Sequence, residues 1–155
     1  MPKKIINRDL EQTLLPWITM SSKLFADIIA HIFRENNIQL SREQMIVLKH
    51  LCDEDGRVQN DLAFVTNRDK TSLTRLVNNM EKKDLLTRVQ CKSDQRCNKI
   101  YITEKGKAGF KEAFPMVTDV AHKIQENLSK EEIELTISTL KKVFNNLSEL
   151  HDEKK

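Results

Sequence analysis

The chain has 155 residues, of which 39% are hydrophobic and 32% charged, and its net charge at pH 7 is +3. With three glycines and three prolines it leaves little room for the tight turns of a sheet-rich fold, so we expect a mostly helical protein. No apolar stretch approaches the ~18 residues of a membrane span, and the basic N-terminus lacks the apolar segment of a signal peptide. The three cysteines, an odd number, favour a reducing compartment over a disulfide framework. These features predict a cytoplasmic protein without a membrane partner.

Two helical patterns fill the N-terminal third. The first covers residues 9–36, and Pro16 predicts that the regular helix begins or bends there. Its apolar side consists of Leu14, Ile18, Phe25, Ile28, Ile29, Ile32 and Phe33. The second starts at Ser41-x-x-Gln44, the sequence of a capping box, and stops at Gly56. Its apolar residues are Met45, Val47, Leu48 and Leu51.

A short strand and a helix-turn-helix follow. The strand is predicted at residues 57–58, and a short helix at residues 60–66 faces inward with Leu62, Ala63 and Val65. After a tight turn, Asp69 is a suitable N-cap for a second helix. Two short helices joined in this way make a helix-turn-helix.

The second of these helices is amphipathic. Its apolar stripe consists of Leu73, Leu76, Val77 and Met80. Its opposite side is polar or positively charged, with Thr71, Thr74, Arg75, Asn78, Asn79 and Lys82. The DNA major groove admits one α-helix and offers base edges and phosphates to such side chains, so this helix is a candidate for reading DNA.

The hydrophobic period then changes from that of a helix to that of a strand. Residues 87–91 and 99–103 each alternate between two faces, and a polar turn with Lys92 and Arg96 joins them. A basic hairpin directly after a polar helix is typical of a winged helix, in which the hairpin reaches phosphates or the minor groove. Charge supports this interpretation. Residues 68–105 contain ten Lys and Arg against five Asp and Glu, a net charge of +5, whereas the rest of the chain has a net charge of −2.

Two further helices complete the chain. Thr103 is predicted to cap the first, whose heptad-like seam is Phe110, Phe114, Val117, Ala121, Ile124 and Leu128. Pro115 predicts a kink or local break in this helix. The last helix starts at the capping box Ser129-x-x-Glu132 and shows an apolar stripe of Ile133, Ile137, Leu140, Phe144 and Leu147.

The terminal stripes exceed what one winged helix can bury, so the simplest expectation is a symmetric dimer, with an intramolecular helical bundle as the alternative. The predicted fold is mainly α with a small β-wing. It comprises an N-terminal dimerisation helix (1–36), a winged helix-turn-helix (37–103) and C-terminal dimerisation helices (104–155). A dimer would place two recognition helices about 34 Å apart, which implies a pseudopalindromic double-stranded DNA site.

The hairpin carries a family resemblance. Asp94-x-Arg96 followed by Ile102-Thr103-x-x-Gly106 resembles the Asp-x-Arg and Leu-Thr-x-x-Gly signature of the MarR (multiple antibiotic resistance regulator) transcription factors. The preceding segment at residues 70–77 is similar to their recognition helix. Two positions depart from the pattern: Asp84 replaces the usual Gly at the helix exit, and Ile102 replaces Leu.

The resemblance implies a homodimeric DNA-binding regulator, a repressor that a small ligand releases. Arg96 would enter the minor groove, and Asp94 would organise the wing by pairing with Arg75 or Arg88. The recognition-helix candidates are Lys70, Thr71, Ser72, Thr74, Arg75 and Asn78. Ser72 and Thr74 are expected to bind phosphates, and Arg75 to contact guanine. The wing candidates are Lys92, Asp94, Arg96 and Lys99, although Lys92 and Lys99 are as easily ordinary surface residues.

The resemblance also implies an effector site for a small aromatic or anionic molecule. The candidate lining residues are Trp17, Phe25, Phe33, Met45 and His50, each of which fits a plain core position as well. A ligand there would act by changing the distance between recognition helices.

Cysteine chemistry is the main alternative. Cys91 and Cys97 flank the wing among basic residues that favour a thiolate, and an oxidised wing would not dock on DNA in the same way. Cys52 is expected in the core. The four histidines show no metal-ligand spacing, and no catalytic motif or cofactor-binding loop is present, so neither metal, cofactor nor enzymatic activity is predicted. A winged helix that binds another protein remains a further alternative.

Overall fold

The computed structural model describes residues 8–92, 94 and 96–153. The helices are α1 (Arg8–Glu11), α2 (Leu15–Glu35), α3 (Arg42–Asp53), α4 (Gln59–Val65), α5 (Lys70–Lys82), α6 (Glu104–Lys123) and α7 (Lys130–Asp152). The strands are β1 (Arg57–Val58), β2 (Leu86–Gln90) and β3 (Asn98–Ile102). The chain packs as two compact units, one that ends at Val117 and one that begins at Thr118. No helix in the described part of the chain is both long enough and apolar enough to cross a membrane.

The helix predicted over residues 9–36 is two helices in the structure. α1 ends in a turn closed by the Thr13 amide on the Leu10 carbonyl (3.1 Å), and α2 starts anew with Pro16 in its first turn. A proline is tolerated there because the first turn needs no amide donor, whereas deeper in a helix it removes one backbone hydrogen bond and crowds the preceding turn. Ile29 and Phe33 are buried as expected. Two other members of the predicted apolar side, Leu14 and Ile28, are exposed in the single chain, and the sequence analysis expected part of this side to be covered by a partner.

α3 supplies much of the core. The capping box is confirmed, since the Gln44 amide donates to Ser41 Oγ (3.2 Å) and the Ser41 amide donates to Gln44 Oε1 (3.0 Å). The other end of the Gln44 side chain is buried and donates to Asn79 Oδ1 on α5 (2.8 Å). The predicted core residues Met45, Val47, Leu48 and Leu51 are buried. Cys52 was expected in the core but is exposed, because it lies one residue beyond Leu51 and therefore turns away from the buried face.

The three strands form an antiparallel sheet in the order β1-β3-β2. The hairpin pairs β2 with β3 from Leu86 opposite Ile102 to Gln90 opposite Asn98. The predicted third strand is confirmed, with Arg57 opposite Ile100. This winged-helix order, with β3 in the centre, agrees with the fold class predicted from the sequence.

The helix-turn-helix follows β1. In α4, Leu62 and Ala63 are buried, but Val65, which was expected to face inward, is 37% exposed because it lies at the last turn of a seven-residue helix. The cap of α5 is confirmed, since the Ser72 amide donates to Asp69 Oδ1 (2.8 Å). The stripe of α5 is fully buried at Leu73, Val77 and Met80.

The start of α6 is joined to the exit of α5. Thr103 Oγ1 accepts from the Gly106 amide (3.0 Å), as the cap prediction requires, and donates to the Asp84 carbonyl (2.6 Å). Asp84 has φ of +60°, which an aspartate tolerates better than most residues, so the turn forms without the usual glycine. α6 continues through Pro115, so the local break is absent, whereas the kink, which was the other possibility, stays a prediction. A helix can continue past a proline when its other hydrogen bonds persist.

The unit that begins at Thr118 contains the end of α6 and all of α7. The capping box of α7 is confirmed, because the Glu132 amide donates to Ser129 Oγ (3.2 Å) and the Ser129 amide donates to Glu132 Oε2 (2.7 Å). No side chain of α7 is buried. The apolar stripe predicted for this helix is therefore available to a partner.

Candidate nucleic-acid interface

α5 presents a polar face that the core does not use. Its buried side fixes the rotation of the helix, so Lys70, Thr71, Arg75 and Asn78 lie on the exposed side. These four side chains carry donors that suit phosphate oxygens and base edges. The structure thus brings four of the six predicted recognition residues onto one exposed surface.

The other two predicted recognition residues, Ser72 and Thr74, are half-buried and hydrogen-bonded within the protein. Thr74 Oγ1 donates to the Lys70 carbonyl (2.7 Å) and accepts from Gln59 Nε2 (2.9 Å). The single hydroxyl proton of Thr74 is therefore already used in a hydrogen bond within the helix. Ser72 Oγ accepts from the Arg68 guanidinium (3.3 Å) and keeps its own proton for another acceptor. These three bonds do not test the predicted contacts of Ser72 and Thr74 with phosphates.

Gln59 was not singled out by the sequence analysis. It lies at the first position of α4 and supports Thr74 on α5. Its Oε1 atom is buried without a hydrogen-bond partner among the described residues. The sequence offers no local signal for this contact, because the two residues belong to different helices.

The wing tip, residues 92–96, carries the remaining candidates. Lys92, Asp94 and Arg96 are exposed, and residues 93 and 95 lie outside the described part of the chain. Asp94 Oδ1 accepts from the Arg96 amide (2.8 Å), and the Asp94 carbonyl accepts from the Cys97 amide (3.0 Å). The carboxylate therefore organises the backbone beneath Arg96. Lys99 is exposed on β3.

One of the two arginines suggested as partners of Asp94, Arg88, is engaged elsewhere. Arg88 binds Glu81 on α5 through Nη2 (2.6 Å) and Nε (3.1 Å) to Oε2, and the Arg88 amide donates to Oε1 (3.2 Å). A fork of three bonds to one carboxylate fixes orientation as well as distance. The strand that leads into the wing is thereby attached to the end of α5.

Acid should weaken this attachment. Hydrogen bonds from Arg88 hold the pKa of Glu81 below its ordinary value of 4.5. Because the folded pKa is the lower one, the contact stabilises fully above about pH 4.5, and the stabilisation is lost as pH falls through the folded pKa. We expect Glu81→Gln to lower the free energy of unfolding by about 1 kcal/mol at pH 7.

Thermal unfolding from pH 7 to pH 3 measures this effect. The difference in melting temperature between the wild-type protein and Glu81→Gln should shrink towards pH 3. Glu112→Gln, which removes an exposed carboxylate from α6, is the control and should change little. If the melting temperatures of the wild-type protein and Glu81→Gln differed by a constant amount down to pH 3, a stabilising role for the ionised carboxylate would be contradicted.

Cys91 and Cys97 form a disulfide, contrary to the expectation that the three cysteines make none. They follow directly on the last ladder pair, with Cα atoms 5.3 Å apart and the Cys91 amide donating to the Cys97 carbonyl (2.9 Å). Hairpin register sets them opposite each other, which a count of cysteines cannot reveal. Cys52 remains a free thiol, and its pKa is raised by partial desolvation and by Asp53 and Asp55.

The candidate effector residues are dispersed. Phe33 and Met45 are buried in the core, Phe25 and His50 are half-buried, and Trp17 is 67% exposed. Burial and the neighbouring Arg57 lower the pKa of His50. Of the five candidate effector residues, only Phe33 lines a cleft of about 650 Å³ between the end of α2 and the start of α3. The other lining residues include Ile29, Arg34, Ile38, Leu40 and Arg42. Among the described residues no group of three or more His, Cys, Asp or Glu is arranged to hold a metal ion.

The family model that matches this chain is that of the MarR family, over residues 38–96. The match runs from the residues before α3 to the wing tip. It therefore contains the exposed face of α5, the Glu81–Arg88 contact and both members of Asp94-x-Arg96.

Solved structures resemble the chain over most of its length. The transcriptional regulator SlyA is 25% identical with a TM-score of 0.83, over 93% of this chain and all of that one. MepR from S. aureus, solved with DNA, is 24% identical with a TM-score of 0.79, over 87% and 98% of the two chains. A mutant MarR from E. coli, solved with operator DNA, is 20% identical with a TM-score of 0.79, over 90% and 98%. The chain therefore has the winged-helix fold of the MarR-type regulators, and its residues 38–96 match the MarR family.

Proposed function

We propose that this protein is a homodimeric transcriptional regulator that binds a specific, pseudopalindromic double-stranded DNA site. The observation that carries the proposal is the exposed polar face of α5, which the Glu81–Arg88 contact joins to a basic wing. A helix of this kind fits a major groove, and Arg96 on the wing fits the adjacent minor groove or its phosphates. The similar proteins MepR and MarR were solved with DNA, which supports the same partner here.

Exposed apolar helices support the homodimer. On α7, Ile137, Leu140, Phe144 and Leu147 are 46–56% exposed. On α2, the exposed apolar side chains include Leu15, Trp17, Met20 and Leu24. Apolar surface of this extent on terminal helices is typical of a protein–protein interface. A symmetric dimer covers it and presents two recognition helices to successive turns of the duplex.

We further propose that the protein is a repressor that a small aromatic or anionic molecule releases. The cleft between α2 and α3 supports such a ligand, because it combines apolar Phe33 and Ile38 with Arg34 and Arg42. A carboxylate with an apolar body would satisfy both. Asp27 and Glu43 share the lining, and Glu43 lies 3.8 Å from Arg42, so the ligand would have to compete with that carboxylate. Screening aromatic carboxylates for loss of DNA binding tests this release. Loss of the response in Arg34→Ala or Arg42→Ala would identify the cleft as the ligand-binding site.

Fluorescence anisotropy tests the DNA partner. The probe is duplex DNA from upstream of the coding region of the protein, compared with a scrambled duplex at two salt concentrations. We expect tight, salt-sensitive binding with two chains per site, well above the scrambled control. Equal weak binding to both duplexes would leave only a basic surface and favour a protein-interaction module.

Arg96→Ala should weaken binding to the upstream duplex by about 1–3 kcal/mol, because it removes the cation at the wing tip. The fold should be unchanged, since Arg96 is exposed and only its backbone amide is hydrogen-bonded to Asp94. Arg34→Ala, which removes an equally charged side chain from α2, is the control in the same titration and should retain wild-type affinity. Unchanged affinity in a folded Arg96→Ala protein would show that the wing does not take part in DNA recognition.

A further inference from the structure

Gln44 is a buried polar side chain that is hydrogen-bonded at both ends. It is 3% exposed and is the one buried polar residue in the described part of the chain. Its Oε1 atom accepts from the Ser41 amide (3.0 Å), and its Nε2 atom donates to Asn79 Oδ1 on α5 (2.8 Å). A buried amide that is satisfied at both ends holds its partners in a defined orientation. Gln44 therefore joins the start of α3 to α5.

The direction of these bonds fixes which atom of Asn79 is left for a partner. A backbone amide can only donate, so the end of the Gln44 side chain that meets Ser41 is the oxygen. The nitrogen end of Gln44 can only donate as well, so Asn79 meets it with its own oxygen. Asn79 is an exposed residue, and its Nδ2 atom donates to no other residue that the structure describes. Two N–H donors of Asn79 thus remain for another molecule.

Asn79 lies on the edge of α5 that faces the start of α3. It follows Ser72 by seven positions, which is two helical turns, so the two residues lie on the same side of α5 and about 10 Å apart. Ser72 is oriented in a similar way, because its oxygen accepts from the Arg68 guanidinium (3.3 Å) and its proton is left for another acceptor. This edge of α5 therefore carries two side chains that accept from the protein itself and can donate to a partner.

A side chain that can only donate suits a DNA phosphate better than a base. Asparagine reads adenine by donating and accepting at once, which requires both the oxygen and the nitrogen of its amide. The oxygen of Asn79 is already used by Gln44. Phosphate oxygens only accept, and they border the major groove in which a recognition helix lies. The edge of α5 is thus matched to the sugar–phosphate backbone.

We propose that Asn79 binds a DNA phosphate through Nδ2, and that Gln44 is the positioning residue that holds Asn79 in the donating orientation. The proposal rests on the proposed function, because it requires α5 to lie in a major groove. Gln44 acts through Asn79 and does not touch DNA. The capping box at Ser41 prevents the Gln44 amide from turning over. A side chain that is already held in its bound orientation loses less conformational entropy when the complex forms.

Anisotropy titration of Asn79→Ala with the upstream and scrambled duplexes tests the contact. We expect Kd to rise about fivefold for each bound chain, as for the loss of one hydrogen bond. The factor should be the same for both duplexes, because phosphates carry no sequence information. Asn146→Ala, which removes an exposed asparagine from α7, is the control and should keep wild-type affinity. An unchanged Kd in Asn79→Ala would overturn the contact, and a loss confined to the upstream duplex would overturn its assignment to a phosphate.

Gln44→Glu tests the positioning role. A carboxylate accepts from the Ser41 amide as glutamine does, so the capping box is kept, but it cannot donate to Asn79. Asn79 should then turn its nitrogen inward and its oxygen outward, and the affinity for DNA should fall at least as far as in Asn79→Ala. Gln39→Glu, which adds the same charge on an exposed residue five positions earlier, controls for the charge itself.

The double variant Gln44→Glu/Asn79→Ala separates positioning from a purely structural effect. If Gln44 acts through Asn79, the double variant should bind DNA as Asn79→Ala does, because no misdirected amide is left. Additive losses in the two single variants would show that Gln44 acts independently of Asn79 and would overturn its positioning role.

Solvent exchange of side-chain amide protons, followed by NMR, tests the orientation in the protein without DNA. The Gln44 amide protons should exchange slowly and those of Asn79 rapidly, and the Asn79 protons should become slow in Gln44→Glu. Slow exchange at Asn79 in the wild-type protein would overturn the proposed orientation. If Gln44→Glu does not fold, the wild-type spectrum and the Asn79→Ala titration decide. No binding of the wild-type protein to either duplex would overturn the proposed function and the phosphate contact together, whereas equal binding by the wild-type protein and Asn79→Ala would overturn the contact alone.

Discussion

Gly106→Ala is expected to lower the free energy of unfolding by about 2–3 kcal/mol, although alanine is the better helix former. A Cβ atom on Gly106 would lie 2.1 Å from the Leu85 carbonyl oxygen, which is a backbone atom and cannot rotate away. The start of α6 would have to move off the α5–β2 turn. That movement would also disturb the Thr103 hydroxyl, which bonds both the Gly106 amide and the Asp84 carbonyl. Urea unfolding at constant pH measures the loss.

Gly109→Ala is the matched control, because it makes the same change three residues later in the same helix. A Cβ atom at Gly109 would meet Leu40 Cδ1 at 3.5 Å, an ordinary van der Waals contact. We expect it to be neutral or to stabilise by about 0.5–1 kcal/mol through helix propensity. Similar changes for the two variants would show that the contact at Leu85 does not limit position 106.

Ile137→Glu should dissociate the proposed dimer. Ile137 lies within the exposed apolar stripe of α7 and is 47% exposed in the single chain. A carboxylate buried there without a partner would cost about 3 kcal/mol or more, on the order of a hundredfold in the dimer dissociation constant. Sedimentation velocity at micromolar concentration should then show monomers. Affinity for the upstream duplex should fall as well, because the two half-sites are no longer bound together.

Asn146→Glu adds the same charge on the opposite side of α7, where the side chain is exposed, and should leave the dimer intact. Helical folding of each variant is checked by circular dichroism. An Ile137→Glu protein that still sediments as a dimer would exclude this stripe as the interface.

Local features of the fold were predictable from the sequence because a few adjacent residues determine them. The capping boxes at Ser41 and Ser129 and the cap at Asp69 each depend on residues three positions apart. The β1 strand and the hairpin followed from alternation, and all were confirmed. Errors arose at the ends of elements. Val65 and Cys52 fit the apolar period, but burial there depends on how the helix ends against its neighbours.

The candidate interface was predictable only in part, for a different reason. The exposed side of α5 follows from its period, so Lys70, Thr71, Arg75 and Asn78 could be placed. Three of the hydrogen bonds described above join residues of different elements. They are Thr74 with Gln59, Arg88 with Glu81, and Gln44 with Asn79. Such pairings depend on tertiary packing, and a single sequence does not contain them. The Cys91–Cys97 bond was the closest to being predictable, since the hairpin register alone sets the two residues opposite each other.

The Glu81–Arg88 contact also alters how the charge of this region should be counted. A cation contributes to the salt dependence of DNA binding only if it replaces counterions condensed on phosphates. Arg88 is half-buried, and its charge is matched by a carboxylate of the same protein. Lys83, whose ammonium donates to the Gln39 carbonyl (3.4 Å), is also directed towards its own chain. The number of ions released on binding should therefore follow the exposed cations of α5 and the wing, and fall short of the number of basic residues in the sequence.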